Sequence, residues 1–289
     1  MLDERRGSAE PRGAMGVETV GSEGFVSGLA NVSNSIGRFH MRAFGKIGLG
    51  IVAVLIAATG SASASCSNSS LDGTYGFSAR ESSTPLASIG TFTADGAGNI
   101  TSGQVTQSNN GTISSVTFSG TYTISNDCTG TITTTDSLSS LRKYFVVVSG
   151  AKKGTVALIE HNPSGLIASG DAHAQGVGVC GLTGKPRAYA LHLTGFAGSA
   201  GEAIVGKFVF AGNGNITYGV AALGLGSTYS SPSHVSGTYT VNSNCAGTIQ
   251  ISFGGATYNF DYVAIDADKQ FILIETDANT TVAGTLAIE

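Results

Sequence analysis

Gly90-Thr-Phe-Thr-Ala-Asp-Gly-Ala-Gly-Asn-Ile-Thr-Ser-Gly103 recurs as Gly206-Lys-Phe-Val-Phe-Ala-Gly-Asn-Gly-Asn-Ile-Thr-Tyr-Gly219. A second block, Ser119-Gly-Thr-Tyr-Thr-Ile-Ser-Asn-Asp-Cys-Thr-Gly-Thr-Ile132, recurs as Ser236-Gly-Thr-Tyr-Thr-Val-Asn-Ser-Asn-Cys-Ala-Gly-Thr-Ile249. Self-similarity over the length of a domain predicts two tandem units of one architecture. It also supplies a control, because a site used by both units appears in both.

Within the blocks, Gly90, Phe92 and Ala94 alternate with polar residues, as do Gly120, Tyr122 and Ile124 and their counterparts. That period of two is a strand with one apolar face. The loop Asp95-Gly-Ala-Gly-Asn99 has the composition of a hard-cation site. Its counterpart, Ala211-Gly-Asn-Gly-Asn215, keeps the glycines and the final Asn but loses the acid. Those are turn requirements, because Gly and Asn accept positive φ. The loop therefore reads as a hairpin turn, and no metal is expected.

The rest of the chain after Cys66 carries the same β signature. Strands are expected near 73–80, 87–94, 100–108, 113–125, 130–136, 143–149, 155–161 and 166–174, then near 187–195, 202–211, 215–224, 234–242, 247–253, 257–265, 269–276 and 281–288. The fold class is all-β: two tandem antiparallel eight-stranded meander barrels, with β-sandwiches as the architectural alternative. Phe145 and Val147 are matched with Phe260 and Tyr262 on the inner face, while Asp261 points outward. Val156–Ile159 and Phe271–Ile274 are apolar on both faces and are expected where the units pack together or another chain docks.

Upstream, Met41-Arg-Ala-Phe-Gly-Lys46, the apolar run Ile47–Ala58 and Ala62-Ser63-Ala64 have the order of a secretory signal peptide. The expected organisation is a disordered extension or misassigned start over 1–40, a signal peptide over 41–64, and β-barrel repeats over 65–176 and 177–289. Residues 65–289 carry nine Lys and Arg against 14 Asp and Glu, a net charge of −5. That charge describes a soluble surface, and the absence of a basic cluster excludes nucleic acid as the partner class. No stable membrane span is expected once the leader is cleaved, and the location is periplasmic or extracellular.

The four cysteines, Cys66, Cys128, Cys180 and Cys245, all follow that leader. Export favours disulfides, and the repeat selects Cys66–Cys128 and Cys180–Cys245, one staple per unit. Each closes a loop of just over 60 residues, worth roughly 4 kcal/mol in the chain-entropy model.

His161, His173, His192 and His234 have no counterparts in the other unit. Serines are not set in a nucleophile elbow. One acid does repeat: Glu160 ends Val-Ala-Leu-Ile-Glu and Glu275 ends Phe-Ile-Leu-Ile-Glu. A carboxyl at the end of an apolar strand can cap a ligand cavity, act as a general acid or base, or simply sit at the rim. Tyr122 and Tyr239 are the other repeated polar handles, and a buried Tyr that bonds a partner is ordinary core structure. These four residues are the candidate ligand-binding set. No catalytic residue and no cofactor are assigned. A small apolar ligand inside a barrel, or an extracellular polymer or protein across both units, is the expected partner.

The blocks Gly90–Ile100 and Ser119–Tyr122, with Gly206–Ile216 and Ser236–Tyr239, resemble uncharacterised secreted bacterial proteins that join a signal peptide to one or two copies of these motifs. The resemblance spans most of the chain after the leader and implies export without implying an activity. Cys180-Gly-Leu-Thr-Gly-Lys185 also looks like the opening of an avidin, and eight antiparallel strands suit avidin and lipocalin barrels. The chain contains no Trp, so this likeness implies barrel geometry and no biotin site. The functional expectation is a secreted non-enzymatic binding or structural module. The alternative is an isomerase or hydrolase using Glu160 or Glu275.

Overall fold

The computed structural model describes residues 65–81, 84–150, 153–161, 167–176, 180, 182 and 184–289. The expected signal peptide and the segment before it lie outside the described residues. The described strands form two closed antiparallel barrels. The first runs β1 (Asp72–Glu81), β2 (Leu86–Asp95), β3 (Asn99–Asn109), β4 (Thr112–Ile124), β5 (Thr129–Asp136), β6 (Leu141–Val148), β7 (Val156–Glu160) and β8 (Ala168–Ala174), and β8 returns to pair with β1. The second contains β9 (Arg187–Ala197), β10 (Ala200–Phe210), β11 (Asn215–Leu225), β12 (Thr228–Tyr229), β13 (Ser233–His234), β14 (Ser236–Tyr239), β15 (Ala246–Phe253), β16 (Ala256–Ile265), β17 (Gln270–Glu275) and β18 (Thr280–Ile288). Pairings of β10 with β11 and of β18 with β9 close it, and β12 and β13 are short additions along β11. Closure pairs the long described strands on both sides, leaving only the two-residue strands β12 and β13 paired on one side.

The first repeated motif turns at the same place in both barrels, with different side chains holding the turn. Asp95 Oδ1 accepts from the backbone N–H of Ala97 and Asn99 at 2.8 and 2.9 Å, and Oδ2 accepts from Asn99 Nδ2 at 2.7 Å. Those donors hold its pKa well below the usual carboxylate range, at about 2. The second barrel has Ala211 there, and Asn213 Oδ1 takes over the bond to the Asn215 N–H. A bulge follows Thr93 in β2 and Val209 in β10, bending both sheets at the same place.

One end of each barrel is plugged. Leu71, following a 3-10 turn at Asn68–Ser70, is buried in the first, and Leu182 is buried in the second. Tyr122 donates its hydroxyl to the Leu71 carbonyl at 2.6 Å, and Tyr239 donates to the Leu182 carbonyl. Cys66–Cys128 and Cys180–Cys245 tie each plug to the turn that follows the Gly-Thr-Tyr strand.

Two expectations are corrected. Phe145 and Val147 point outward and are exposed, whereas Tyr144, Val146 and Val148 face inward. The registers Tyr144↔Glu160 and Phe260↔Glu275 make Tyr144 the counterpart of Phe260 and Phe145 the counterpart of Asp261. Tyr144–Val148 is apolar at successive positions, so alternation cannot choose the face, and a slip of one residue inverts it. The single strand expected at 234–242 is also broken: β13 ends at His234, and β14 runs only from Ser236 to Tyr239. Between them Val235 donates its N–H to the Gly219 carbonyl at 2.9 Å, and β14 meets β11 only at Asn215 and Ile216.

The barrels meet through the outer face of β2 and that of β16–β18. Ala87 and Ile89 pack on Val263, Ile265, Ile272, Ile274 and Ala283. Thr106 Oγ1 donates to Asp261 Oδ2 at 2.8 Å, Ser108 Oγ lies 3.2 Å from Thr281 Oγ1, and Arg80 donates to the carbonyls of Thr194 and Ala283. Of the two strands apolar on both faces, β17 makes this contact, while Ile159 on β7 stays exposed. Gly76 sets the approach: a Cβ there would lie 2.6 Å from side-chain atoms of both Val263 and Ile265. Gly76→Val is expected to cost about 1–3 kcal/mol, as overpacking does, with the far-ultraviolet spectrum unchanged. Urea unfolding of the two proteins checks this, and equal midpoints would show that the contact carries no weight.

Candidate functional site

The ends opposite the plugs carry the repeated glutamates. In the first barrel this end holds a cavity of about 70 Å³. Its walls are mostly apolar, formed by Phe77, Phe92, Val105, Phe118, Ile132 and Leu158, with Asp136 and Ala168 also lining it. Strand alternation brings Ser88, Gln107, Thr134, Arg142, Tyr144 and Glu160 to the same interior. The volume is about half that of the roughly 150 Å³ apolar cavity that admits benzene. It suits a few waters, a very small molecule, or the end of a longer one.

Glu160, at the end of β7, is 6% exposed. Arg142 Nη1 reaches its two carboxylate oxygens at 3.3 and 3.4 Å, and Arg142 Nη2 donates to Gln107 Oε1 at 3.3 Å. Burial, and then the Glu160 charge, push the Tyr144 hydroxyl up to about 12, so it remains a neutral donor. The ion pair satisfies charges that would otherwise be costly under apolar walls. A guanidinium has five N–H donors, so the bonds to Glu160 and Gln107 leave others for a polar group on a guest.

In the second barrel the registers replace these groups one by one. Ser88, Gln107, Thr134, Arg142 and Tyr144 correspond to Ile204, Leu223, Ile251, Tyr258 and Phe260. Apolar packing takes over the interior, with Phe208, Phe210, Phe260 and Phe271 all buried in one cluster. Glu275 persists without an arginine. It is 1% exposed, and its Oε2 has no hydrogen-bond partner. Glu202, the counterpart of Leu86, is buried in the same barrel and also has an unpartnered Oε2. Burial first, then the charges of Glu202 and Asp277, push Glu275 up to about 8. Burial and the Asp277 charge raise Glu202 as well. Asp277 itself is held by the Asn259 N–H at 2.9 Å and Asn259 Nδ2 at 2.7 Å.

The four residues singled out by repetition therefore divide. Glu160 and Glu275 lie at the ends opposite the plugs, while Tyr122 and Tyr239 lie at the plugged ends with their hydroxyls spent on plug carbonyls. The structure does not bring the two kinds together. Sequence reading misses Arg142, Gln107 and Glu202. A signal for Glu202 exists, since alternation from Phe208 through Gly206 and Ile204 places it on the inner face. Arg142 is hidden by the inverted face of β6. Among the described residues no cluster of His, Cys, Asp and Glu is arranged to hold a metal ion. The pair His173–Asp171 lies on the outer face of β8, with Thr155 Oγ1 at 3.4 Å from His173 Nδ1. A second, polar hollow of about 230 Å³ lies between the barrels, lined in part by Thr91, Gln104, Thr106, Thr248 and Asp261.

Compared with known proteins, the chain matches no family model, no curated sequence and no solved structure.

The raised pKa of Glu275 has a definite sign in stability. The folded state holds a proton that the unfolded chain releases near 4.5, so stability is greatest below that pH and declines as pH rises towards 8. Glu275→Gln should remove this slope. The variant should match the wild type near pH 5 and exceed it near pH 8.5 by on the order of a few kcal/mol. Denaturant unfolding across that range tests it, and parallel pH profiles would show that Glu275 is ionised in both states.

Proposed function

We propose that this protein is a secreted, non-enzymatic binding module that holds a small, largely apolar molecule, or the apolar end of a larger one, in the open end of its first barrel. The observation that carries this reading is the divergence of two copies of one interior. At matched positions the first barrel keeps Ser88, Gln107, Thr134 and Arg142 around a cavity, whereas the second has Ile204, Leu223, Ile251 and Tyr258 in a packed core. An eight-stranded barrel is either filled by side chains or just wide enough for one ligand, and the two halves sit on either side of that limit. Apolar walls with a few convergent polar groups are the usual make-up of a small-molecule site.

Two disulfides, and the lack among the described residues of any helix long and apolar enough to cross a membrane, are compatible with an oxidising extracellular or periplasmic setting. The resemblance of the repeat blocks to secreted bacterial proteins supports the same placement. An isomerase or hydrolase using Glu160 or Glu275 is the second reading, favoured by the raised pKa of Glu275. Against it, Glu275 sits in a packed core, and Glu160 is engaged by Arg142.

The test transplants the second interior into the first. Ser88→Ile, Gln107→Leu and Thr134→Ile together should fill the cavity and leave the fold intact. Native mass spectrometry of wild-type protein from its own host should reveal a bound small molecule that the filled variant lacks. Tyrosine fluorescence titrations with short-chain alcohols and carboxylates should saturate for the wild type alone. Identical behaviour of the two proteins in both assays would overturn the binding reading. Turnover in an activity screen that is lost in Glu160→Gln or Glu275→Gln would replace it with the enzyme.

A further inference from the structure

Among the described residues the large apolar side chains that remain exposed fall, Ile288 excepted, in two runs of chain, 138–167 in the first barrel and 196–229 in the second. In the first, Phe145, Val147 and Ile159 share the outer face of β6 and β7 at 47, 42 and 43% exposure, with Phe145 directly across from Ile159. In the second, Val205 on β10 and Val220 on β11 are 50 and 37% exposed. Scattered apolar side chains need no explanation, but contiguous ones mark a contact surface.

The repeat says what covers them. The β6–β7 face is the first barrel's copy of the β16–β17 face, and the β16–β17 face is what the second barrel uses to dock on β2 through Val263, Ile272 and Ile274. The β9–β11 face is, in turn, the second barrel's copy of the surface around β2 that receives it. The inter-barrel contact is thus head to tail, joining different faces of equivalent units. It leaves one unused head on the first barrel and one unused tail on the second. A heterologous contact of this kind propagates into a ring or an open chain.

We propose that copies of this chain associate head to tail by repeating their own inter-barrel contact, with the β6–β7 face of one molecule seated on the β9–β11 face of the next. Three pairs across the two free faces change together relative to their internal counterparts, whereas at the apolar centre Ile89 is answered by the smaller Val205 and Ile272 by Ala157. Internally Thr106 bonds Asp261, and the corresponding free pair is Ala222, a buried methyl beside Val205, with Phe145. Internally Ser108 bonds Thr281, and the corresponding pair is Gly224 with Ile167, which is exposed. Internally Gly76 admits Ile265, and the corresponding pair is Ala190 with Ser149, so one partner grows and the other shrinks. Polar has been exchanged for apolar on both sides at once in two of the three pairs, and volume is compensated in the third. In these three pairs the change on one face answers the change on the other. The Arg80 clamp has no equivalent, because Thr194 stands in its place. The contact between molecules is therefore weaker than the one within them and depends on concentration.

Sedimentation velocity of the whole protein, from low micromolar to its highest soluble concentration, should show mass growing beyond the monomer. Phe145→Asp, which blocks the head, and Val205→Asp, which blocks the tail, should each remain monomeric alone. Both positions are exposed, and unchanged thermal unfolding of each variant verifies that it is folded. An equimolar mixture of the two should form one-to-one dimers and nothing larger, because each retains the face the other lacks. Monomeric wild type at every concentration would overturn the proposal. So would self-association of Val205→Asp alone, which would mean that two β6–β7 faces meet symmetrically.

Discussion

Closing eight strands sets the width of a barrel, and with it the volume that inward side chains must fill. Both halves of this molecule obey that constraint with the same sheet, the same bulge and the same tethered plug. They differ in what the inward positions carry. Where residues at those positions are Ile204, Leu223, Ile251 and Phe260, the interior packs as a core. Where they are Ser88, Gln107, Thr134 and Tyr144, the side chains are smaller or must keep their polar ends satisfied, and space remains beside them. The candidate site is the residue of that difference.

The repeated glutamate shows how strongly its surroundings govern its chemistry. A carboxylate removed from water must be paired or must take up a proton. In the first barrel Arg142 supplies the pairing, and Gln107 steadies the guanidinium from the other side. In the second barrel the counterpart of Arg142 is Tyr258, and a second acid, Glu202, is buried in the same interior. Ionising both would place two unscreened charges in a packed core, so protonation is the cheaper outcome. One carboxyl position thus anchors a polar cluster in one copy and behaves as a neutral acid in the other.

The same duplication shapes the exterior. A tandem repeat that packs one unit on the next uses a different face of each, and the unit at either end keeps one face idle. Solenoid arrays solve this with polar caps. Here the idle faces stay apolar, at Phe145 and Ile159 on one side and Val205 on the other, which is why they carry more meaning than isolated surface side chains.

Much of the fold is legible in the amino-acid order. Alternation around Phe92, Phe208, Tyr122 and Tyr239 locates the inner faces, and the equivalent placement of Cys66 with Cys180 and of Cys128 with Cys245 selects the disulfide pairing. The site is half legible. Glu160 and Glu275 stand out because they recur, whereas Arg142 is masked on a strand whose apolar residues run consecutively, and Glu202 has no acidic counterpart to draw attention to it. Strand content, turn chemistry and cysteine partners follow from the residues alone, because backbone preferences and period-two patterning act over a few positions and survive without context, and the repeat lets each be read twice. The face presented by Tyr144–Val148, the partner of each buried carboxyl, and the use of β17 rather than β7 for the inter-barrel contact were settled only by the folded chain. Those outcomes depend on which side chains arrive from strands far apart in sequence, and on the few ångströms by which Gly76 lets one barrel approach the other.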